Sequence, residues 1–311
     1  MNFHKSKNYQ LDMTNGSIVG KLIRFSGPLI FSGILQLLFN AADIVVVGRF
    51  AGDNSLAAVG STSSLINLLV NLFVGLSVGT NVVAANYFGA GKKNELSKTV
   101  HTAILLSIYS GIILTIVGVI GAKQILRLMQ SPEEVLVKAT LYLQIYFGGI
   151  TATMVYNFGS ALLRAKGDTQ RPLFILLFAG IINVVLNLIF VVFFKMDVAG
   201  VALATVISQT ISAVLVVVCL IKEEDEFKLN IKKLKMDRDI FIRIVKIGVP
   251  AGFQGIMFSF SNVIIQSSVN SFGAITIAGN SAASNLEGFV YVAMNGFAQG
   301  TLTFTSQNAG A

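Results

Sequence analysis

Charged residues are scarce in this chain of 311 residues. Asp, Glu, Lys and Arg make up 12% of it, whereas 54% of the residues are hydrophobic and the mean hydropathy is +0.74. A soluble domain carries about a quarter charged residues, so the composition excludes that class and indicates an integral membrane protein. The net charge of +8 would suggest a nucleic-acid partner for a soluble chain. Here most Lys and Arg lie between apolar runs, so we assign them to membrane topology and expect no nucleic-acid partner.

Three further absences narrow the function. Cys219 is the single cysteine, which excludes an intramolecular disulfide. The first 20 residues lack the apolar core of a secretory signal, so we expect the first apolar segment to remain as a membrane span. No HExxH or P-loop motif occurs, and no metal-ligand cluster has useful spacing. We therefore predict neither an enzyme nor an ATP-driven pump, with no cofactor and no structural metal.

Long apolar runs are abundant, and eight of them reach the length of about 20 residues that an α-helix needs to cross a bilayer. A β-barrel would show short alternating segments instead, so the sequence predicts an all-α, polytopic helical bundle. The predicted spans run Leu22–Val47, Ala57–Tyr87, Val100–Ala122, Val135–Leu163, Leu173–Phe194, Val198–Ile221, Ile240–Val269 and Ile277–Gln307.

Lys and Arg are distributed unevenly over the connectors between these spans. Of the 23 in the chain, 18 lie in the N-terminal tail and in every second connector, including Arg164, Lys166 and Arg171, and five lie in the other connectors. Cytoplasmic connectors carry the excess of positive charge in membrane proteins. The distribution predicts a multi-pass protein of the cell membrane with a cytoplasmic N-terminus.

The chain also contains an internal repeat with a displacement of about 221 residues. Six predicted helices separate the starts of the two copies, so the copies begin on the same side of the membrane and are parallel. Positions that match at this displacement include Gly27 with Gly248, Gly75 with Gly296, Gly79 with Gly300 and Thr80 with Thr301.

The repeat divides the chain into four predicted segments. These are a tail (1–20), a six-helix N-lobe (21–222), a charged cytoplasmic linker (223–238) and the first two helices of a C-lobe (239–311). Two complete copies of a parallel repeat would need roughly 440 residues. We therefore expect about four helices of the second lobe to be missing from this sequence.

Ionisable residues inside membrane spans are costly, and Asp43 is the first of two carboxylates that qualify. Gln36, Asn40 and Asp43 fall on one face of the first span, because their spacings are four and three. A carboxyl held among amides is the kind of group that a proton-carrying site needs. The alternative is a structural ion pair between Asp43 and Arg49 near the outer surface.

Two later spans carry polar side chains that could join Asp43. Asn183 and Asn187 lie one turn apart on the fifth span, and Thr205, with Ser208, Gln209 and Ser212, lies on the sixth. These oxygens predict a proton network or a site for a hard cation such as Na⁺ at Asp43, Asn183 and Thr205. Hydrogen bonding that only packs the helices together is the alternative.

The last two spans offer fewer candidates. Glu287 is the second carboxylate within a span, and its counterpart in the repeat is Ile66, so the two copies differ in charge. Gln254 and Asn262 are polar positions of the seventh span. We expect these three residues to contribute to a substrate cavity, although water access at a helix end would explain Glu287 equally well.

Four ordered motifs resemble the multidrug and toxic compound extrusion (MATE) family. They are GPLIFSGILQLLFNAADIVVVGRFAGDNSLAAVG, ANYFGAGKKNE, LLRAKGDTQRPL and NVVLNLIFVVFFKMDVAGVALATVISQ. The resemblance implies a twelve-helix transporter of two six-helix bundles, which exchanges H⁺ or Na⁺ for organic, often cationic, compounds.

Particular residues match the cation-site pattern of that family. The resemblance assigns cation binding to Asp43, Asn183 and Thr205, and a supporting hydrogen-bond network to Tyr142 and Asn157. Many prokaryotic members have an acid at the position of Asn187, so Asp43 is left as the titrating group of this lobe.

The sequence therefore predicts a secondary active efflux antiporter that works by alternating access, with small organic substrates and membrane lipids as its partners. A flippase for a lipid-linked precursor is one alternative, and we would expect it to line its cavity with several Arg or Lys. A truncated membrane subunit without transport activity is the other, in keeping with the end of the sequence at Ala311.

Overall fold

A computed structural model describes residues 9–129, 132–270 and 274–311. These residues form helices and contain no β-strand, which confirms the all-α prediction. A π-helical segment, Leu188–Phe193, continues α6, and a short 3₁₀ turn, Ile231–Lys233, precedes α8. The helices are α1 Ile18–Phe50, α2 Asp53–Gly89, α3 Lys93–Leu128, α4 Glu133–Gly148, α5 Ile150–Ala165, α6 Gln170–Asn187, α7 Asp197–Ile221, α8 Arg238–Asn270 and α9 Ala274–Gly310.

The described residues supply six helices that are long and apolar enough to span a membrane, or seven if α4 and α5 form one crossing. These two helices were predicted as one straight span, but they meet at Gly149 with a bend of 47°. The bend lies where α7 approaches closely, since a Cβ on Gly149 would lie 2.9 Å from the Cβ of Val206.

The eighth predicted span is helical and rich in polar residues. It forms a continuous helix, α9, but it is not among the helices that qualify as apolar spans in the described part of the chain. Polar residues recur at every fourth position along α9, namely Asn295, Gln299, Thr303 and Gln307. In the described residues the apolar crossings thus number six, or seven if α4 and α5 cross as one, and an eighth stays a prediction.

Glycines allow α2 to pack closely against α8. A Cβ on Gly79 would lie 2.9 Å from the backbone nitrogen of Gly248, and one on Gly75 would lie 2.5 Å from the Cα of Gly252. Real Cβ atoms do not approach backbone this closely, so only glycine fits at these positions. Gly75 and Gly79 thus act as the small residues that let two membrane helices approach closely.

The hydrophobic core forms two clusters along the helices. On α7, Val198 and Val201 belong to one cluster, and Val216 and Leu220 belong to the other. The polar residues of α7 lie between these clusters, because they occupy the turns from Thr205 to Ser212. The fold therefore encloses a polar layer between two apolar ones.

We call the side of the bundle on which α1 begins the N-terminal face. The tail lies against this face, where the backbone N–H of Leu11 donates to the Gly167 carbonyl at 3.2 Å. The amide of Asn308, near the end of α9, donates to the Met13 carbonyl at 3.0 Å. The tail thus connects the loop between α5 and α6 to α9. The division into two lobes stays a prediction.

Candidate functional site

A polar cavity of about 480 Å³ lies among α1, α2, α5, α6, α7 and α9. It occupies the polar layer between the two hydrophobic clusters. Its polar lining residues are Gln36, Asn40 and Asp43 of α1, Asn71 and Ser77 of α2, Thr153, Tyr156, Asn157 and Arg164 of α5, Asn183 of α6, Thr205, Ser208, Gln209 and Ser212 of α7, and Asn295 and Gln299 of α9.

Hydrogen bonds join the three predicted helices into one chain of side chains. The amide of Asn187 donates to the Asp43 carboxylate and, at 3.4 Å, to the side-chain oxygen of Asn183. The amide of Asn183 in turn donates to the Thr205 hydroxyl at 3.4 Å, and that hydroxyl donates to the Val201 carbonyl at 3.0 Å. The structure therefore brings together the four residues that the sequence selected from the first, fifth and sixth spans.

Several buried oxygen atoms in this region have no hydrogen-bond partner in the described residues. They are the side-chain oxygens of Asn187, Gln209 and Ser212. Leaving a buried polar atom unpaired costs about 1–3 kcal/mol, and such atoms call for an explanation. Oxygens of this kind can accept a hydrogen bond from a ligand or coordinate a hard cation.

The π-helical segment Leu188–Phe193 begins directly after Asn187. π-helical turns are rare, and they occur frequently at functional sites. Asn187 itself is 1% exposed, so its amide is held away from water at the junction of the two helix types.

The other candidates of the first span and of the supporting network differ in whether they line the cavity. Gln36 and Asn40 line the cavity beside Asp43, and Asn157 lines it from α5. Tyr142 is buried next to Tyr146, with ring centroids 6.2 Å apart, and it does not line the cavity.

The structural alternative for Asp43 required an ion pair with Arg49. No ion pair joins these two residues, whose neighbourhoods lie within the described part of the chain, and Arg49 is exposed. The hydrogen-bond partner of Asp43 is Asn187 instead.

The three candidates of the last two spans do not reach the cavity. Glu287, Gln254 and Asn262 are exposed and lie outside the cavity lining. Their expected contribution to a substrate cavity stays a prediction. Asn295 and Gln299 line the polar cavity instead, and the four-residue spacing of the α9 polar residues was the signal that could have identified them.

The residues at the start of α6 and after α7 form ion pairs with the loop between α5 and α6, whose Lys and Arg the sequence analysis assigned to a cytoplasmic connector. Lys166 pairs with Glu223 and, at 2.5 Å, with Asp225, while Arg171 pairs with Asp168 and, at 2.5 Å, with Glu223. We call Lys166, Asp168, Arg171 and Glu223 the buried ion-pair cluster, since each is at most 5% exposed. Arg164 is not part of this cluster, because its side chain lines the polar cavity.

The sequence profile of the MatE family matches residues 28–189, from within α1 to the beginning of the π-helical segment. This range carries Asp43, Asn183 and Asn187. The chain belongs to the MatE family.

Relatives and solved structures agree with this membership. The chain is 28% identical to the probable multidrug resistance protein YpnP of Bacillus subtilis, over 96% of this chain and 67% of that protein. It is 24% identical to the multidrug export protein MepA of Staphylococcus aureus, over 92% and 64%. It superposes with a TM-score of 0.89 on a multidrug resistance MATE family transporter in an outward-facing conformation, with 25% identity, over 96% and 66%.

The chain thus spans about two thirds of the length of the relatives it matches, between 62% and 67% for the first three curated ones. The members of the MatE family to which it is similar are named as transporters rather than enzymes, in agreement with the sequence prediction.

Proposed function

We propose that this protein takes part in secondary active efflux, in which organic compounds leave the cell in exchange for H⁺ or Na⁺ and Asp43 is the coupling residue. One observation carries the proposal. A single carboxylate lines the cavity between membrane helices, it has no cationic partner among the described residues, and a chain of amides joins it to two further helices. The names of the relatives, which refer to multidrug resistance and export, support the same class of activity.

Coupling requires that the ion binds one conformation of the transporter better than the other. A deprotonated Asp43 accepts a charge-assisted hydrogen bond from Asn187, and such bonds are roughly twice as strong as those between neutral groups. A proton or a cation on the carboxylate weakens that bond. The packing of α1 against α6 then responds to the state of Asp43, which is the differential affinity that exchange needs.

The side chains around Asp43 suit either coupling ion. A proton needs one carboxylate, whereas Na⁺ needs several oxygens, and the Asn187, Asn183 and Thr205 side chains supply them. The uneven distribution of Lys and Arg supports a location in the cell membrane with the N-terminal face in the cytoplasm.

The test uses the protein as it is encoded, expressed in a bacterial host that lacks its own drug exporters. Accumulation of a fluorescent organic cation is measured with an intact proton gradient, with an intact sodium gradient, and with each gradient collapsed. We expect Asp43→Asn to accumulate the dye as the empty host does, because a neutral amide cannot bind a proton or hold a cation. Membrane levels of the protein should match those of the wild type.

Asp53→Asn is the matched control, since Asp53 is an exposed carboxylate at the start of α2, outside the cavity. It should export the dye at the wild-type rate. Export by Asp43→Asn at that rate would disprove the role of Asp43. Absence of export by a folded, membrane-inserted wild type would disprove the efflux proposal itself.

A further inference from the structure

Arg164 places a positive charge in the wall of a cavity whose proposed ligands are cations. It lies in the last turn of α5, and its half-buried side chain contributes to the cavity lining. Side chains on a helix lean towards the N-terminus of the helix, which for α5 is the direction of the other lining residues, Thr153 and Asn157. The carboxyl end of a helix stabilises a cation, so the position favours a charged guanidinium.

No acidic side chain compensates this charge. Among the residues that the structure describes, no carboxylate lies within the ion-pairing distance of 4.0 Å from Arg164. Asp168 and Glu223 pair with other cations. Arg171 binds both carboxylates, and Lys166 binds Glu223. The hydroxyl of Tyr156, the aromatic neighbour in the cavity, donates to the Pro172 carbonyl at 3.2 Å.

The remaining cavity wall is uncharged, with one exception, and combines polar with apolar side chains. Among the described residues, Asp43 on α1 is the only carboxylate of the lining, and it accepts a hydrogen bond from Asn187. The cavity therefore carries one negative and one positive group on two different helices. The unpartnered side-chain oxygens of Gln209 and Ser212, both in the cavity lining, add further capacity for a polar ligand.

From these observations we infer that Arg164 binds an anionic group, such as a carboxylate, sulfonate or phosphate, of the transported compound. A guanidinium presents several N–H donors in a plane, so it can hold a carboxylate through two parallel hydrogen bonds. The volume of about 480 Å³ accommodates a drug-sized molecule. The inference deepens the proposed efflux function, on which it rests, and identifies zwitterionic compounds as the preferred substrate class.

The test measures binding to the purified protein in detergent, without any ion gradient. The two ligands are a cationic xanthene dye with a free carboxylate and the methyl ester of the same dye, so they differ only in the anionic group. We expect the wild type to bind the carboxylate dye more tightly than the ester. Arg164→Gln should lose about tenfold in affinity for the carboxylate dye, because a charged hydrogen-bond donor is removed, and change by less than about twofold for the ester. Arg164→Lys should retain part of the preference, since it keeps the charge and loses the planar geometry.

Lys222→Gln is the matched control, because Lys222 is an exposed cation directly after α7 that does not line the cavity. It should bind both dyes as the wild type does. The inference is overturned if the wild type does not prefer the carboxylate dye, if Arg164→Gln leaves that preference intact, or if it weakens both dyes equally. A melting temperature within a few degrees of the wild type verifies that the variants are folded, and if Arg164→Gln fails to fold, Arg164→Lys decides through the same preference.

This result is separable from the test of the efflux function. If the wild type does not export dye from cells but still prefers the carboxylate dye in the binding measurement, the efflux function is contradicted and the anion site is supported. Export that depends on Asp43 but not on Arg164, together with an absent preference in the binding measurement, would overturn the anion site and leave the function standing.

Discussion

The polar cavity and the buried ion-pair cluster hold charges in opposite ways. In the cluster, Lys166 and Arg171 meet Glu223 and Asp168, and all four side chains are at most 6% exposed. In the cavity, Asp43 and Arg164 belong to different helices, and no ion pair compensates either of them among the described residues.

Whether a buried charge has an ionic partner therefore distinguishes a structural charge from a functional one. A buried ion that is fully paired has no remaining capacity for a ligand, and loss of one partner leaves the other uncompensated. A charge that faces a cavity without a partner costs energy that a ligand can recover. The cluster should therefore respond to mutation through stability, and the cavity through binding and coupling.

The largest effect on stability is expected for Glu223→Gln. Glu223 accepts from both Lys166 and Arg171, and its side chain is 1% exposed. Removing one partner of a buried ion pair destabilises a protein by about 3–5 kcal/mol. We expect a fall of that order in the stability of the detergent-solubilised protein, measured as its melting temperature.

Glu224→Gln supplies the comparison for this variant, because the neighbouring carboxylate is exposed and makes no ion pair among the described residues. Its melting temperature should equal that of the wild type. Equal melting temperatures for Glu223→Gln and Glu224→Gln would mean that the cluster is not structural.

A moderate effect, on coupling more than on stability, is expected for Asn187→Ala. The change removes the donor to Asp43 and interrupts the chain of amides at its centre. A hydrogen bond to a charged group contributes about 1.5–3 kcal/mol, so the ion concentration for half-maximal export should shift by about tenfold or more. Export is measured against the proton or sodium concentration, whichever drives it.

Asn40→Ala is the control for the amide. Asn40 lines the same cavity from α1 and makes no side-chain hydrogen bond to Asp43. Its ion dependence should stay within about twofold of the wild type. If both variants shift equally, the connection between Asn187 and Asp43 has no special part in coupling.

The smallest effect is expected for Asp237→Ala, at a half-buried ion pair outside the cluster. Asp237 accepts from the backbone N–H of Ile240 at 3.2 Å and pairs with Lys98 at 3.2 Å. These contacts, the Ile240 hydrogen bond first, lower the pKa of its carboxyl. The cost of losing such a helix cap is about 1 kcal/mol.

The pH dependence of this cost has a definite sign. Because the folded-state pKa of Asp237 is lowered, its contribution is present above the unfolded pKa of about 3.9 and is lost as the pH falls through the folded value. The difference in melting temperature between the wild type and Asp237→Ala should be constant near neutral pH and shrink below about pH 4. A difference that grows on acidification would contradict the assignment.

The site was predictable where its residues repeat at helical spacing inside apolar runs. Asp43, Asn183, Asn187 and Thr205 stand out because a polar residue in such a run is costly, and the structure joins them by hydrogen bonds. Arg164 was not predictable as a cavity residue, because it lies in a basic stretch that is typical of a cytoplasmic loop. The missing information was that α5 extends to Ala165 and carries Arg164 in its last turn.

The fold also has features that the sequence predicts and features that it does not. Helix positions follow from apolar length, so each of the eight expected spans falls on a helix of the described residues, with α4 and α5 sharing one span. The bend at Gly149 depends on the approach of Val206, and the cavity lining by Asn295 and Gln299 depends on how α9 is rotated. Neither contact leaves a local signal that specifies it.

By itself the sequence determined that the chain is helical, lies in a membrane and concentrates its intramembrane polar residues on a few helix faces. Hydropathy and helical periodicity are local properties, so they can be read along the chain. Only the tertiary structure decided which charges are paired. Lys166 and Arg164 are two residues apart, yet one is neutralised by Glu223 and the other faces the cavity. Electrostatic compensation depends on distances between separate helices, and those exist only once the bundle has formed.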